Sequence, residues 1–244
     1  MKKRVNFLNL MVLFCCVLLM GCGKLVPVQG VTEKVDVQDL LWEEVYIQEA
    51  EGYVPYIVLS DDYNGNSLLL RKYIMDEGMR MNEYYAYYEG CEMDRFLNKT
   101  FYENLPTQTK DIIVNTDVEV VAAGYSYAGH RIKKIERKVF LLSTTELGVD
   151  LPHTAGKEGR AIDYFEQPDV RIAYTKDEEI SALWLRSVDI LYDSCFYGIS
   201  GKGQAGSANA YDFYGVRPAF CVSGDTPISA NSDLCEGKIV YVID

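Results

Sequence analysis

Hydrophobic and polar positions change their period along this chain, and each change predicts an element. Residues 7–20 are apolar throughout except for Asn9, and they follow the basic cluster Lys2-Lys3-Arg4. Residues 23–38, with Pro27 and Gly30, show no periodicity and read as a tether. Residues 54–60 read as the first strand, and 67–75 as its returning partner. The polar turn between them holds Asn64-Gly65, the dipeptide that most favours a tight hairpin. Met93, Phe96, Leu97 and Phe101 then form one apolar stripe at helical spacing. Pro106 opens a second short helix with Ile112 and Ile113 facing inward. Residues 118–122 and 138–143 read as strands, 144–146 as the start of a helical turn, and 156–165 as weakly helical. Beyond Ala182 the pattern is short strands at 183–187, 190–199, 211–222 and 239–243, with a Gly/Ser-rich stretch at 198–210. There is no β-α-β alternation, internal repeat or low-complexity tract. The class is therefore α+β, with two or three helices.

The N-terminal pattern is that of an export signal rather than of structure. A basic start, a short apolar run and a small residue before Cys22 are its three parts, and the run is too short for a stable membrane span. Leu19-Met20-Gly21-Cys22 resembles the lipobox of bacterial lipoproteins. Residues 1–21 are thus expected to be removed and Cys22 to be lipidated, anchoring the chain to the outer face of a membrane. An ordinary secretory signal and an uncleaved membrane anchor are the alternatives. Residues 22–38 would be the tether and 39–244 one domain. Loss of Lys2, Lys3 and Arg4 takes the formal charge from −12 to −15. So acidic a chain is unsuited to nucleic acid and to electrostatic adhesion on anionic lipid. Calcium, which takes oxygen ligands, is permitted but has no motif: Asp61, Asp62, Asn64 and Asn66 lack the EF-hand spacing.

Four cysteines remain in the mature chain: Cys91, Cys195, Cys221 and Cys235. None forms a C-x-x-C, and His130 and His153 are not spaced as ligands, so no metal site is expected. Cys195 and Cys221 flank the glycine-rich stretch and are the first candidates for a disulfide, with free buried thiols the alternative. Gly201 to Gly206 spells G-x-G-x-x-G, but a strand rather than a helix follows, so it reads as a hairpin loop and not a dinucleotide site. Gly124-Tyr125-Ser126-Tyr127-Ala128 approaches a serine-hydrolase elbow, with His130 or His153 as base. No helix stripe follows it, and a turn between strands explains it as well. The run Tyr84, Tyr85, Tyr87, Tyr88 fits a recognition surface, although half-buried strand positions are the expectation.

Several landmarks occur together in order: Tyr56-Ile57-Val58-Leu59, Leu68-Leu69-Leu70-Arg71-Lys72-Tyr73-Ile74, Phe96-Leu97-Asn98-Lys99-Thr100-Phe101, Val139-Phe140-Leu141-Leu142-Ser143, Trp184-Leu185-Arg186-Ser187 and Gly215-Val216-Arg217-Pro218-Ala219-Phe220. As a set they resemble the bacterial domain-of-unknown-function family 6273 across about residues 53–222. Asp94 departs from it, standing where that family usually has arginine. The resemblance implies a single C-type-lectin-like domain of short antiparallel strands and hairpins, related to sulfatase-modifying-factor-like domains. It also implies that loops between the late strands carry recognition. Residues 188–214 become the candidate ligand face, with Asp189, Tyr192, Asp193, Tyr197, Asn209, Tyr211 and Asp212 its interacting side chains. Gln167-Pro168-Asp169 copies a sugar-binding tripeptide of calcium-dependent lectins without its companion motif, and is read as coincidence. Trp184 and Phe220 are expected in the core, and Arg186 and Arg217 are expected to satisfy carboxylates or carbonyls from inside. The expected function is a non-catalytic recognition or scaffold module for a glycan, peptide or envelope protein. The alternative is an enzyme, either a cysteine-dependent oxidase or a hydrolase built on Ser126.

Overall fold

The computed structural model describes residues 35–75, 78–122, 131–235 and 238–243, all within one compact unit, Lys34–Asp244. Its main layer is a seven-stranded sheet in the order β13-β14-β1-β2-β3-β12-β4. These strands are β1 (Glu44–Glu49), β2 (Gly52–Tyr63), β3 (Asn66–Arg71), β4 (Ile113–Val114), β12 (Ala219–Val222), β13 (Ser229–Cys235) and β14 (Lys238–Ile243). All neighbours are antiparallel except β1 and β14, which run parallel with Val45 opposite Tyr241. The expectation of antiparallel strands alone is corrected there. Outside this sheet, β5 (Thr116–Val121) pairs with β6 (Ile132–Arg137) and β7 (Ala173–Tyr174) with β8 (Ile180–Ser181). A three-stranded sheet joins β9 (Leu183–Val188), β10 (Cys195–Ile199) and β11 (Ala205–Asn209) in the order β11-β10-β9.

The β2–β3 hairpin closes at Asn64 and Gly65, both at positive φ (54° and 83°), the type I′ geometry that this dipeptide prefers. A helical segment covers residues 92–104, an α-turn at Glu92–Arg95, a π-helical stretch at Phe96–Phe101 and a last turn at Tyr102–Asn104. Met93, Leu97 and Phe101 are buried along its inner face. Leu105-Pro106 ends it, and a short helix, Thr107–Ile112, follows. The class is α+β, predominantly strand.

Several predicted boundaries move. Residues 35–38 belong to the folded unit rather than to a tether: Val37 is fully buried, and its N–H and that of Gln38 donate to Thr226 and Gly224. The predicted strand at 138–143 is an extended core segment with one β-bridge, Phe140 to Ala219. Beyond that bridge and a bond from the Arg186 N–H to the Leu142 carbonyl, side chains take the place of a ladder. Asn98 accepts from the N–H groups of Lys138 and Val139 and donates to the Val139 carbonyl. Tyr88 accepts from the Leu141 N–H, and Arg186 donates to the Leu141 carbonyl. The predicted strands at 67–75, 190–199 and 211–222 shrink to β3, β10 and β12, and the helical reading of 156–165 shrinks to a 3₁₀ turn at Asp163–Phe165. The sequence reading missed β1, β4, β6, β7, β8, β11 and β13.

The G-x-G-x-x-G stretch is the β10–β11 hairpin loop. Gly203 has φ +73°, and a Cβ there would lie 2.5 Å from the Pro168 carbonyl oxygen, so both its backbone and its packing require glycine. Gln167-Pro168-Asp169 thereby serves as the surface against which this loop packs.

Candidate functional site

The motif residues that stand out in the sequence face inward and hold surface loops in place. Arg186 on β9 is completely buried. Its guanidinium makes two bonds to Glu146, at 2.6 and 2.8 Å, and also donates to the carbonyls of Glu119, Leu141 and Glu158. Glu146 also accepts from Tyr63 Oη and from the Ser143 N–H. Burial works to lower the Arg186 pKa, but Glu146, Tyr63 and Glu158 outweigh it and hold the guanidinium above its ordinary value. Burial raises the pKa of Glu158, with Arg186 opposing it. Asp94 forms a comparable clamp: buried, it takes two 2.7 Å bonds from Arg137 and one from the Gly90 N–H.

Trp184 on β9 stacks on Tyr214 at 4.4 Å, and its indole N–H donates to the Met79 carbonyl at 2.7 Å. This bond fixes the start of the segment from Met79 to Tyr88. Met81 and Asn82 donate to the Ala210 carbonyl, and Ala86 donates to that of Asp193. The Asn82 side chain holds the Tyr85 carbonyl. Three surface segments, around residues 84–85, 192–193 and 211–213, are thus laced together by backbone bonds.

That lacing gathers exposed aromatic side chains. Tyr84 and Tyr85 are each 63% exposed, Phe213 70%, and Tyr192 and Tyr211 about half. Large apolar rings left in water are costly, and a group of them marks a contact surface. The tyrosine run therefore does not lie on a strand, as was expected: Tyr84 and Tyr85 project, Tyr87 is half-buried and Tyr88 is fully buried.

The predicted ligand face divides in two. Tyr192, Asp193 and Tyr211 are exposed and Asn209 and Asp212 half-buried, all near the rim. Asp212 accepts from the Asn209 backbone N–H at 3.0 Å, closing the turn that presents Tyr211. Asp189 and Tyr197 do not reach the surface. Asp189 is buried, accepts from the Leu191 N–H and lies 3.9 Å from His153 Nδ1. Tyr197 is buried with its hydroxyl donating to the Pro152 carbonyl, and burial, then Asp189, pushes its pKa up to about 12. Both anchor the 150–153 turn.

A second concavity, acidic and of about 420 Å³, lies between the β2–β3 hairpin, β5 and the 159–163 loop. Asp61, Asp62, Asp117, Glu119 and Asp163 line it against Lys134 and Arg160. Trp42, half-exposed at φ +70°, stands at its mouth. Among the described residues no group of three or more His, Cys, Asp or Glu side chains is placed to hold a metal ion.

The Cys195–Cys221 bridge is overturned, since both are free thiols. Cys221 lies inside the seven-stranded sheet on β12, while Cys195 is on β10 of the other sheet and donates to Asn209 Oδ1 at 3.7 Å. Burial pushes the Cys221 thiol up to about 12, which keeps it protonated and a poor nucleophile. Cys91, equally buried, shifts in the same way. Ser126, His130 and Cys22 lie outside the described residues, and no described helix is long and apolar enough to cross a membrane.

No curated protein and no solved structure matches the chain. A family match extends from residue 64 to residue 224. It takes in Trp184, Arg186 and Arg217, the residues that fasten the loops, together with the whole aromatic rim. It leaves out β1, β2, β13 and β14, which complete the main sheet. Covering more than half of the sequence, the match places the chain in the family described as Domain of unknown function (DUF6273).

Proposed function

We propose that this protein is an extracytoplasmic lipoprotein, anchored by lipidated Cys22, whose lectin-like domain is a non-catalytic recognition module for a glycan of the cell envelope. The exposed aromatic rim carries this reading. Five large rings, Tyr84, Tyr85, Tyr192, Tyr211 and Phe213, stand in solvent on segments pinned to the core. Tyrosine offers a rigid amphipathic face at low entropic cost, which suits a flat, hydrated contact. Asp193, Asn209 and Asp212 lie beside it, with oxygens and an amide that suit sugar hydroxyls. Pinned backbone under exposed rings keeps the loss of freedom on binding small. The basic n-region, apolar run and Gly21-Cys22 support the anchor, and two or more acyl chains would hold the mature chain in spite of its negative charge.

The test is a glycan and peptide array probed with the full-length, detergent-solubilised protein. Tyr211→Ala and Phe213→Ala are expected to weaken a hit by on the order of tenfold each, an aromatic anchor being worth ~1–2 kcal/mol. Cys22→Ser is expected to abolish labelling by a radioactive fatty acid and release the protein from membranes. Binding to peptides alone, or a glycan hit indifferent to both rim substitutions, overturns the recognition reading.

A further inference from the structure

Each of the three segments that carry the aromatic rim sets one carboxylate directly beside its rings. Glu83 precedes Tyr84 and Tyr85, Asp193 follows Tyr192, and Asp212 stands between Tyr211 and Phe213. Glu83 and Asp193 are exposed and Asp212 is half-buried. The segments are joined by backbone bonds from Asn82 to Ala210, Ala86 to Asp193 and Ala210 to Ser194. Each carboxylate therefore lies no more than two residues from a bond to a neighbouring segment. Basic side chains are scarce in the same place. Across residues 79–88, 189–195 and 209–214 the one basic residue is Arg80. Its guanidinium is taken by Glu92 at 2.7 Å. Asp212 spends one oxygen on the Asn209 N–H, whereas the carboxylates of Glu83 and Asp193 have no bonded partner among the described residues.

An exposed carboxylate by itself serves solubility, and rings by themselves accept the C–H face of any sugar. Interleaved, they discriminate. Rings and acids with no basic side chain to spare repel phosphate, sulfate and uronate groups and attract ammonium groups. Tyrosine adds to that preference, because its ring quadrupole attracts an ammonium group over its face. We infer that the rim selects glycans bearing free amino groups, such as runs of unacetylated glucosamine, over neutral and anionic ones. The inference rests on the glycan reading above and narrows it. The apolar faces of the sugar lie on Tyr211 and Phe213 and on the tyrosines across the seam. Its ammonium groups meet Glu83, Asp193 and Asp212.

The probes are the glucosamine hexasaccharide and its fully N-acetylated counterpart, titrated calorimetrically into the full-length, detergent-solubilised protein at low salt. The unacetylated sugar is expected to bind roughly tenfold tighter, each exposed charge pair contributing about two- to fivefold. Glu83→Gln combined with Asp193→Asn should cut that preference to about threefold or less. Both substitutions keep the side chain's shape and break no bond among the described residues, so the fold is expected to stand. Tyr211→Ala should weaken both sugars together. Equal affinity for the two sugars, or tighter binding of the acetylated one, overturns the inference and leaves the glycan reading standing. A preference that survives Glu83→Gln with Asp193→Asn overturns it as well. Binding that is matched by spermine, an amine without a sugar ring, is mere attraction of a polycation to an acidic chain and also overturns it. If neither sugar binds, the inference is lost, and the array decides the glycan reading separately.

Discussion

Replacing Glu146 by glutamine removes one charge from the buried centre of the domain while changing its shape very little. The native carboxylate takes two bonds from Arg186, at 2.6 and 2.8 Å, one from the Ser143 N–H at 2.8 Å and one from Tyr63 Oη. Glutamine keeps a single acceptor oxygen and turns an NH₂ towards the guanidinium or the backbone donor. Arg186 is then a fully buried cation resting on three carbonyls and on Glu158, whose own burial disfavours its charge. Breaking a buried pair by removing one partner costs about 3–5 kcal/mol, against a total stability of about 5–15 kcal/mol. For a domain of this size the loss translates into a fall in Tm of roughly 6–20 °C. Urea unfolding followed by circular dichroism measures it directly, and an unchanged m-value would show that the folded state keeps its compactness. A loss below about 1 kcal/mol would refute the argument that this pair sustains the fold.

Two other outcomes follow from the buried titratable groups. Burial raises the folded pKa of Glu158 above its ordinary value of 4.5, so between the two values the folded state holds the extra proton. This group's contribution to stability is therefore greatest below about pH 4.5 and is lost as pH rises through the folded pKa. Relative to Glu158→Gln, the native protein should lose urea stability between pH 4 and pH 7, and parallel pH curves would show that Glu158 is not perturbed. Alkylation at pH 8 should modify Cys195 before Cys91 and Cys221, whose thiols stay protonated inside the core at pKa values of about 12. Mass spectrometry that finds Cys221 labelled in the native protein, or bridged, would contradict the arrangement described.

What the sequence made legible was local. Asn64-Gly65 specifies its hairpin because both residues tolerate positive φ, and no distant partner is needed. The Met93–Phe101 stripe specifies its helix for the same reason, though nothing in it signals the π-helical stretch. Some of the missed strands depend on partners remote in sequence. β13, Ser229–Cys235, lacks an apolar alternation and forms only because β14 offers an edge. Residues 138–143 have the apolar content of a strand, but the side chains of Asn98 and Arg186 take up their backbone groups instead. The same holds at the site. Asp189 and Tyr197 look like surface chemistry in the sequence, and only the 150–153 turn, about forty residues upstream, draws them inward. The tyrosine run advertised the rim by composition alone, since its exposure depends on bonds to Asp193 and Ala210.

The parallel pairing of β1 with β14 also bears on how the chain acquires its structure. Val45 and Tyr241, direct neighbours in the sheet, stand almost two hundred residues apart in the sequence. Contacts of such separation form late, because the loop they close is expensive in entropy. β1 thus lacks one of its two flanking strands until residues 238–243 have emerged. A chain exported in the proposed way would cross its membrane unfolded and complete its main sheet only once β14 has followed β1 across.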